Sequence, residues 1–134
     1  MAVPILKQGE VLIASIQAAL TDTDVIRLQE EIMDRVGRFR LRGIVVDVTA
    51  LDVMDSFVSR SLRGIAHMAR LRGAETVLVG IQPEVAYAMV QLGMSMEDVN
   101  TALDLEEGLA FLQDRAKERE PREGCEAVGR AAAP

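Results

Sequence analysis

With 134 residues, 49% hydrophobic but only 3% aromatic, the chain has material for one domain with an aliphatic, methionine-filled core, and a chain of this size buries roughly two thirds of its unfolded surface. A net charge of −6 and a pI near 4.8 argue against a nucleic-acid binder, whose footprint is a basic excess that displaces counterions from phosphates. No apolar run approaches the roughly 20 residues of a membrane helix, the amino terminus is too short and uncharged for a secretory signal, and Cys125 is the single cysteine, so a reducing, cytoplasmic setting is expected.

Ile5 to Lys7 and Val11 to Ile16 flank Gln8-Gly9-Glu10, and that glycine suits the positive φ of a tight turn, which predicts an antiparallel hairpin. Thr21-Asp22-Thr23-Asp24 supplies a helix cap and first-turn carboxylates, and Val25, Leu28, Ile32 and Val36 recur at helical spacing as far as Gly37. Arg35, Arg38, Arg40 and Arg42 then form the one basic cluster, read as a solvated helix end whose cations complement the dipole. Ile44 to Val48 is the third strand, a β-branched run suited to cover on both faces. Val58, Leu62, Ile65 and Ala69 form the inward stripe of a second helix ending at Gly73, and Glu75 to Val79 is the fourth strand. Pro83 opens a short third helix through Val85, Met89 and Leu92, stopped at Gly93. Thr101 to Leu103 is a last short strand, after which Asp104 and Glu107 resemble a capping box for a fourth helix with Leu105, Leu109 and Leu112 on one side.

Strands alternating with helices predict an α/β domain over residues 1–116, built on a mixed, mostly parallel sheet of about five strands with four helices. From about Lys117 the composition turns to charged residues, Gly, Pro and Ala, with almost nothing to bury against the entropy of ordering, so residues 117–134 are expected to be a disordered polar tail.

The chemistry of most enzymes is absent. His67 is the only histidine, placed by the pattern among apolar residues of the second helix. A triad of Ser56, His67 and Asp47 lacks the G-x-S-x-G elbow. Neither G-x-x-x-x-G-K-[ST] nor G-x-G-x-x-G occurs, so no nucleotide cradle or cofactor site is signalled. Asp47, Asp52 and Asp55 are the sole candidates for a hard cation and read instead as a solvated acidic loop, so no metal is expected. Cys125 lies in the polar tail without a histidine to activate it. Met94-Ser95-Met96 reads as gap-filling or as an adaptable contact surface.

The stretch Ile44-Val45-Val46-Asp47-Val48-Thr49-Ala50-Leu51-Asp52-Val53-Met54-Asp55-Ser56-Phe57 carries the most information, because it delivers a serine from a buried strand to a helix start. Ser56 has two readings there. Its Oγ can cap the helix, or it can accept a phosphoryl group, bringing about −1.5 to −2 charges to a place where free N–H groups and the dipole tolerate anions. Arg60, four residues on, could reach back to that phosphate, an exposed pair worth about 1 kcal/mol or less. Thr49, Ser59 and Ser61 are rival acceptors, the last two expected on the helix surface.

Val3-Pro4-Ile5-Leu6-Lys7, Ile44 to Thr49, Met54-Asp55-Ser56-Phe57, Val79-Gly80-Ile81-Gln82-Pro83 and Thr101-Ala102-Leu103-Asp104 occur in the order and spacing of a known family. Over roughly Val3 to Gln113 the chain resembles the STAS (sulfate transporter and anti-sigma factor antagonist) domains, and within them the RsbS-type small subunits of bacterial stressosomes. The resemblance implies a non-enzymatic scaffold and antagonist, phosphorylated on Ser56 by a cognate serine/threonine kinase that it sequesters until then. Asp55 and Phe57 would belong to the kinase-facing surface. It also implies larger STAS proteins with sensory amino-terminal domains as partners in a large hetero-assembly, and a phosphatase that resets the site. Two alternatives stay open: a stand-alone anti-sigma factor antagonist that binds its kinase one to one, and a small-molecule binding module or weak hydrolase at Asp47, Thr49 and Ser56.

Overall fold

The computed structural model describes residues 3–93 and 99–119. Met94-Ser95-Met96 and Cys125 lie outside the described residues, as does the tail after Arg119. The elements follow in chain order as β1 (Ile5–Gln8), β2 (Val11–Ser15), α1 (Asp22–Arg38), β3 (Gly43–Asp47), α2 (Ser56–Leu71), β4 (Glu75–Val79), α3 (Pro83–Gln91), β5 (Asn100–Ala102) and α4 (Leu105–Arg119). The sheet order is β1-β2-β3-β4-β5, with β1 antiparallel to β2 and every other pair parallel. The α/β sheet expected from the sequence is therefore present, and β4 has the predicted bounds.

Strictly sequential strand order with parallel neighbours sends each crossover over the same face, because right-handed connections dominate. Leu12, Ala14, Ile44, Val46 and Leu78 accordingly meet Val25, Leu28 and Ile32 of α1, Leu62 and Ile65 of α2, and Val85 of α3 in one large core. The opposite face belongs to α4. There Leu112 packs on Ile13, Val45, Val77 and Val79, with Leu105, Leu109 and Phe111 at the margin. Two glycines admit this close approach: Leu112 sits where a Gly43 side chain would stand, and a Cβ on Gly108 would come within 2.8 Å of Val79 Cγ1.

Helix α1 does not stop at Gly37. It continues to Arg38, where Phe39 turns extended while its N–H still bonds Arg35 O at 2.9 Å. Gly37 has room around it and no positive φ, so it lacks the left-handed geometry that makes glycine a terminator. Thr21 and Asp24 form a full capping box at the other end. Arg35 pairs with Glu31 and Arg38 with Asp34 within α1, as expected of a solvated helix end, whereas Arg42, beyond the helix, pairs with Glu10 of the hairpin turn. Helix α4 runs to Arg119, three residues beyond the boundary at 116 expected from composition.

An ion pair between a buried carboxylate and a half-exposed guanidinium fastens α4 to the sheet. Glu75, 7% exposed, accepts from Arg115 Nη2 at 3.2 Å and from Asn100 Nδ2 at 3.1 Å. Burial is the largest influence on its carboxyl and raises the pKa. The hydrogen bonds from Arg115 and Asn100, with the charges of Arg115 and Arg70, outweigh it and hold the group below its usual 4.5.

Candidate functional site around Ser56

The chain leaves β3 at Asp47 and enters α2 at Ser56 through a loop whose shape follows from its apolar spacing. Val48, Leu51 and Met54 are 0%, 2% and 5% exposed, and Val58 continues the series inside the helix. Successive loop anchors stand three positions apart, so the side chains between and just after them face outward: Thr49, Ala50, Asp52, Val53, Asp55 and Ser56 are all exposed. Val53 alone among them is a large apolar side chain, 65% exposed. The loop is thus pinned from beneath by its own sequence and presents a polar rim.

Asp47 and Thr49 close the first turn of this loop. Asp47 Oδ1 accepts from Thr49 N at 2.9 Å and from Thr49 Oγ1 at 2.6 Å, and Leu51 N donates to Val48 O at 2.9 Å. The neighbouring strand end locks on from the side. Gln82 Nε2 donates to Thr49 O at 2.6 Å, while Gly80, at φ +75°, lets the backbone pass directly over Thr49. A Cβ on Gly80 would overlap the Thr49 hydroxyl and lie 3.0 Å from its Cβ and 3.2 Å from its Cα. Gly80 N also donates to Leu103 O at 3.1 Å, tying the end of β5 into the same corner.

At the far end of the loop, Asp55 and not Ser56 is the N-cap of α2. Its carboxylate accepts from Val58 N at 2.8 Å, which satisfies one of the orphan donors of the first turn. Ser56 is then the first helical residue, exposed and freed from capping. The first turn of α2 holds no acidic residue, so a phosphate on Ser56 would meet the positive end of the dipole with Asp55 as its nearest carboxylate neighbour. Arg60, exposed one turn further on, has the i,i+4 spacing needed to face it.

The rival hydroxyls differ from Ser56 in placement. Ser59 and Ser61, expected on the helix surface, are 2% and 7% exposed. The correction has a simple cause: α2 packs against both β4 and α1, so its buried face is wider than the central stripe of Val58, Leu62, Ile65 and Ala69. Thr49 is exposed, but its hydroxyl is engaged with Asp47. Phe57 is half-buried and packs against the main core, so only part of its ring reaches outward.

The groups of the paper triad do not converge. Eleven helical steps separate Ser56 from His67, about 16 Å along the axis at 1.5 Å per residue, and His67 is exposed, not embedded among apolar side chains. Asp47 and Asp55 are each engaged with backbone amides, and among the described residues no three His, Cys, Asp or Glu side chains are grouped to hold a metal ion. A cavity of about 470 Å³, walled by Val11, Leu109 and Leu112 and rimmed by Glu10, Arg42 and Glu106, opens at the amino-terminal ends of β2 and β3, the opposite end of the sheet from Ser56. No helix of the described residues is long and apolar enough to cross a membrane.

Sequence reading placed Gly80 and Gln82 only within a family segment and Val53 only within the loop, and gave none of them a part in the site. A glycine directly after a buried strand was the available signal for the first, whereas the Gln82–Thr49 bond joins residues 33 apart and leaves no local trace.

Comparison with known proteins agrees with this fold. Residues 2–108 match the STAS domain. A structure of a serine-to-glutamate variant of RsbS from Moorella thermoacetica is 36% identical, superposes with a TM-score of 0.78, and is matched over 86% of this chain and 97% of its own. A chain from a structure of the stressosome, described there as a signal integration and transduction hub, is also 36% identical, with a TM-score of 0.71 and coverage of 85% and 99%. The RsbT co-antagonist protein RsbRA of Bacillus subtilis (strain 168) is 31% identical over 83 residues, which is 62% of this chain but 30% of that protein. The chain therefore spans under a third of that relative's length.

Proposed function

The chain belongs to the STAS domain family, and we propose that it is a non-enzymatic scaffold and antagonist subunit of a stress-signalling complex, holding a serine/threonine kinase until Ser56 is phosphorylated. The observation that carries this reading is the exposed Ser56 hydroxyl at the first position of α2, capped by its neighbour Asp55 and held on a loop pinned by Leu51 and Met54. Transfer of the γ-phosphoryl from ATP to Ser56 Oγ, releasing ADP and the hydroxyl proton, would put a dianion beside Asp55, at the end of a loop that already carries Asp52. A partner docked over this helix end would then lose a neutral contact and meet concentrated negative charge. Phe57, Asp55 and Arg60 are the adjoining residues of the partner-facing surface in this proposal.

Support for the scaffold half comes from likeness across nearly the whole length of an RsbS and of a stressosome chain. The match to one segment of a longer RsbT co-antagonist supports larger STAS proteins as assembly partners; a cognate phosphatase that resets Ser56 and a cytoplasmic setting complete the proposal. The test is incubation with the cognate kinase and ATP, followed by mass spectrometry and sizing with the larger STAS proteins. Phosphate on Ser56, absent in Ser56→Ala, and co-elution in a megadalton particle are expected. Phosphate confined to Thr49 or Ser59, or a complex that never exceeds one to one with the kinase, would refute it.

A further inference from the structure

We propose that Thr49 is a positioning residue for the Ser56 acceptor: wedged between Asp47 and Gly80 and tied by Gln82, it fixes the start of the loop that presents the serine. The inference rests on the reading of Ser56 as the phosphorylated residue and assigns Thr49 a role other than acceptor. Three contacts from two strand ends converge on this one residue. Asp47 takes both its N–H and its hydroxyl, Gln82 takes its carbonyl, and the Gly80 backbone covers it at a separation that no other residue type allows. The far end of the loop is fixed by the Asp55 cap, and between the two ends only Leu51 and Met54 reach into the core.

A loop held at both ends presents its exposed serine in one pose, and transfer of a phosphoryl group depends steeply on the alignment of the attacking oxygen. Releasing the first turn gives the Ala50–Asp55 segment freedom at the Asp47 end, and the entropy of that freedom opposes the reactive pose. The hydroxyl of Thr49 is the removable part of the lock. Valine keeps the shape at position 49 without the hydroxyl donor to Asp47; serine keeps the donor.

The experiment measures kcat and KM for phosphorylation of the full chain by its cognate kinase, and amide hydrogen exchange at Leu51, whose N–H closes the turn onto Val48. For Thr49→Val, kcat is expected to fall about tenfold with KM nearly unchanged, since the surrounding surface is intact, while exchange at Leu51 accelerates. Thr49→Ser is expected to restore both. Gly80→Ala should reproduce the Thr49→Val behaviour if it folds, and the proposal stands on Thr49→Val if it does not. Unchanged exchange at Leu51, or faster exchange with an unaltered kcat, overturns the positioning role while leaving the acceptor intact. A wild-type chain that takes no phosphate on Ser56 sinks the acceptor reading and this role together.

Discussion

Replacing Asp55 separates the two things its carboxylate does at the start of α2. The side chain accepts from Val58 N at 2.8 Å, and it is the anion nearest the positive end of a helix whose first turn has no acid of its own. Loss of an N-cap acceptor costs about 1 kcal/mol, and loss of a carboxylate at a helix N-terminus about 0.5 kcal/mol. Asp55→Ala should therefore lose about 1.5 kcal/mol, and Asp55→Asn, which keeps an acceptor oxygen, only about 0.5 kcal/mol. In a domain of this size the first figure corresponds to a fall of roughly 6 °C in Tm, or to a shift of about 1 M in the urea midpoint for a slope near 1.5 kcal/mol/M. Equilibrium urea unfolding followed by far-ultraviolet circular dichroism resolves a difference of that size. Asp55→Ala unfolding with the wild type, or Asp55→Asn unfolding with Asp55→Ala, would refute the assignment of the cap to this carboxylate.

Aspartate substitution of Ser56 and Ser59 should sort them by burial: Ser56→Asp, exposed at the dipole's positive end, is expected to melt within about 2 °C of the wild type, whereas Ser59→Asp buries a charge at a position 2% exposed and should cost about 3 kcal/mol or more. Scanning calorimetry of both variants checks this. Leu112→Ala removes the side chain that seats α4 on Val45 and Val77 and should cost about 2–4 kcal/mol by urea unfolding. The Glu75 carboxyl titrates below its unfolded value of 4.5, so its contribution is fully present above pH 4.5 and is lost as pH falls through the lower folded value. Arg115→Ala should lower stability at pH 7 by about 1 kcal/mol, since the guanidinium is half-exposed. The variant should also lose less than the wild type on acidification from pH 5 to pH 3, and parallel urea midpoints over that range would count against the pairing.

Local patterns carried most of this fold. The hairpin around Gly9 (φ +62°), the Thr21 capping box and the β-branched strands β3 and β4 are each written in residues adjacent in sequence. The misreadings arise where tertiary packing decides. Gly37 looked like a terminator, but helix α1 ends where Phe39 goes extended, beneath Lys7, whose ammonium lies 5.1 Å from the ring centroid. Ser59 and Ser61 looked like surface residues because a period of 3.6 marks the centre of a buried face and not its width, which is set by the two neighbours of α2. For the site, the serine and its helix start were legible from the strand-to-helix change of period. That Asp55 would take the cap was not, because Asp and Ser are near-equal capping residues and only the Val58 hydrogen bond separates them.

The alternation of inward anchors and outward side chains between Asp47 and Ser56 has an evolutionary corollary. Ala50, Asp52 and Val53 contribute little to the interior, so they behave as a cassette whose letters can be exchanged without redrafting the scaffold. The aliphatic pegs beneath, Val48, Leu51 and Met54, keep the frame in register through such exchanges.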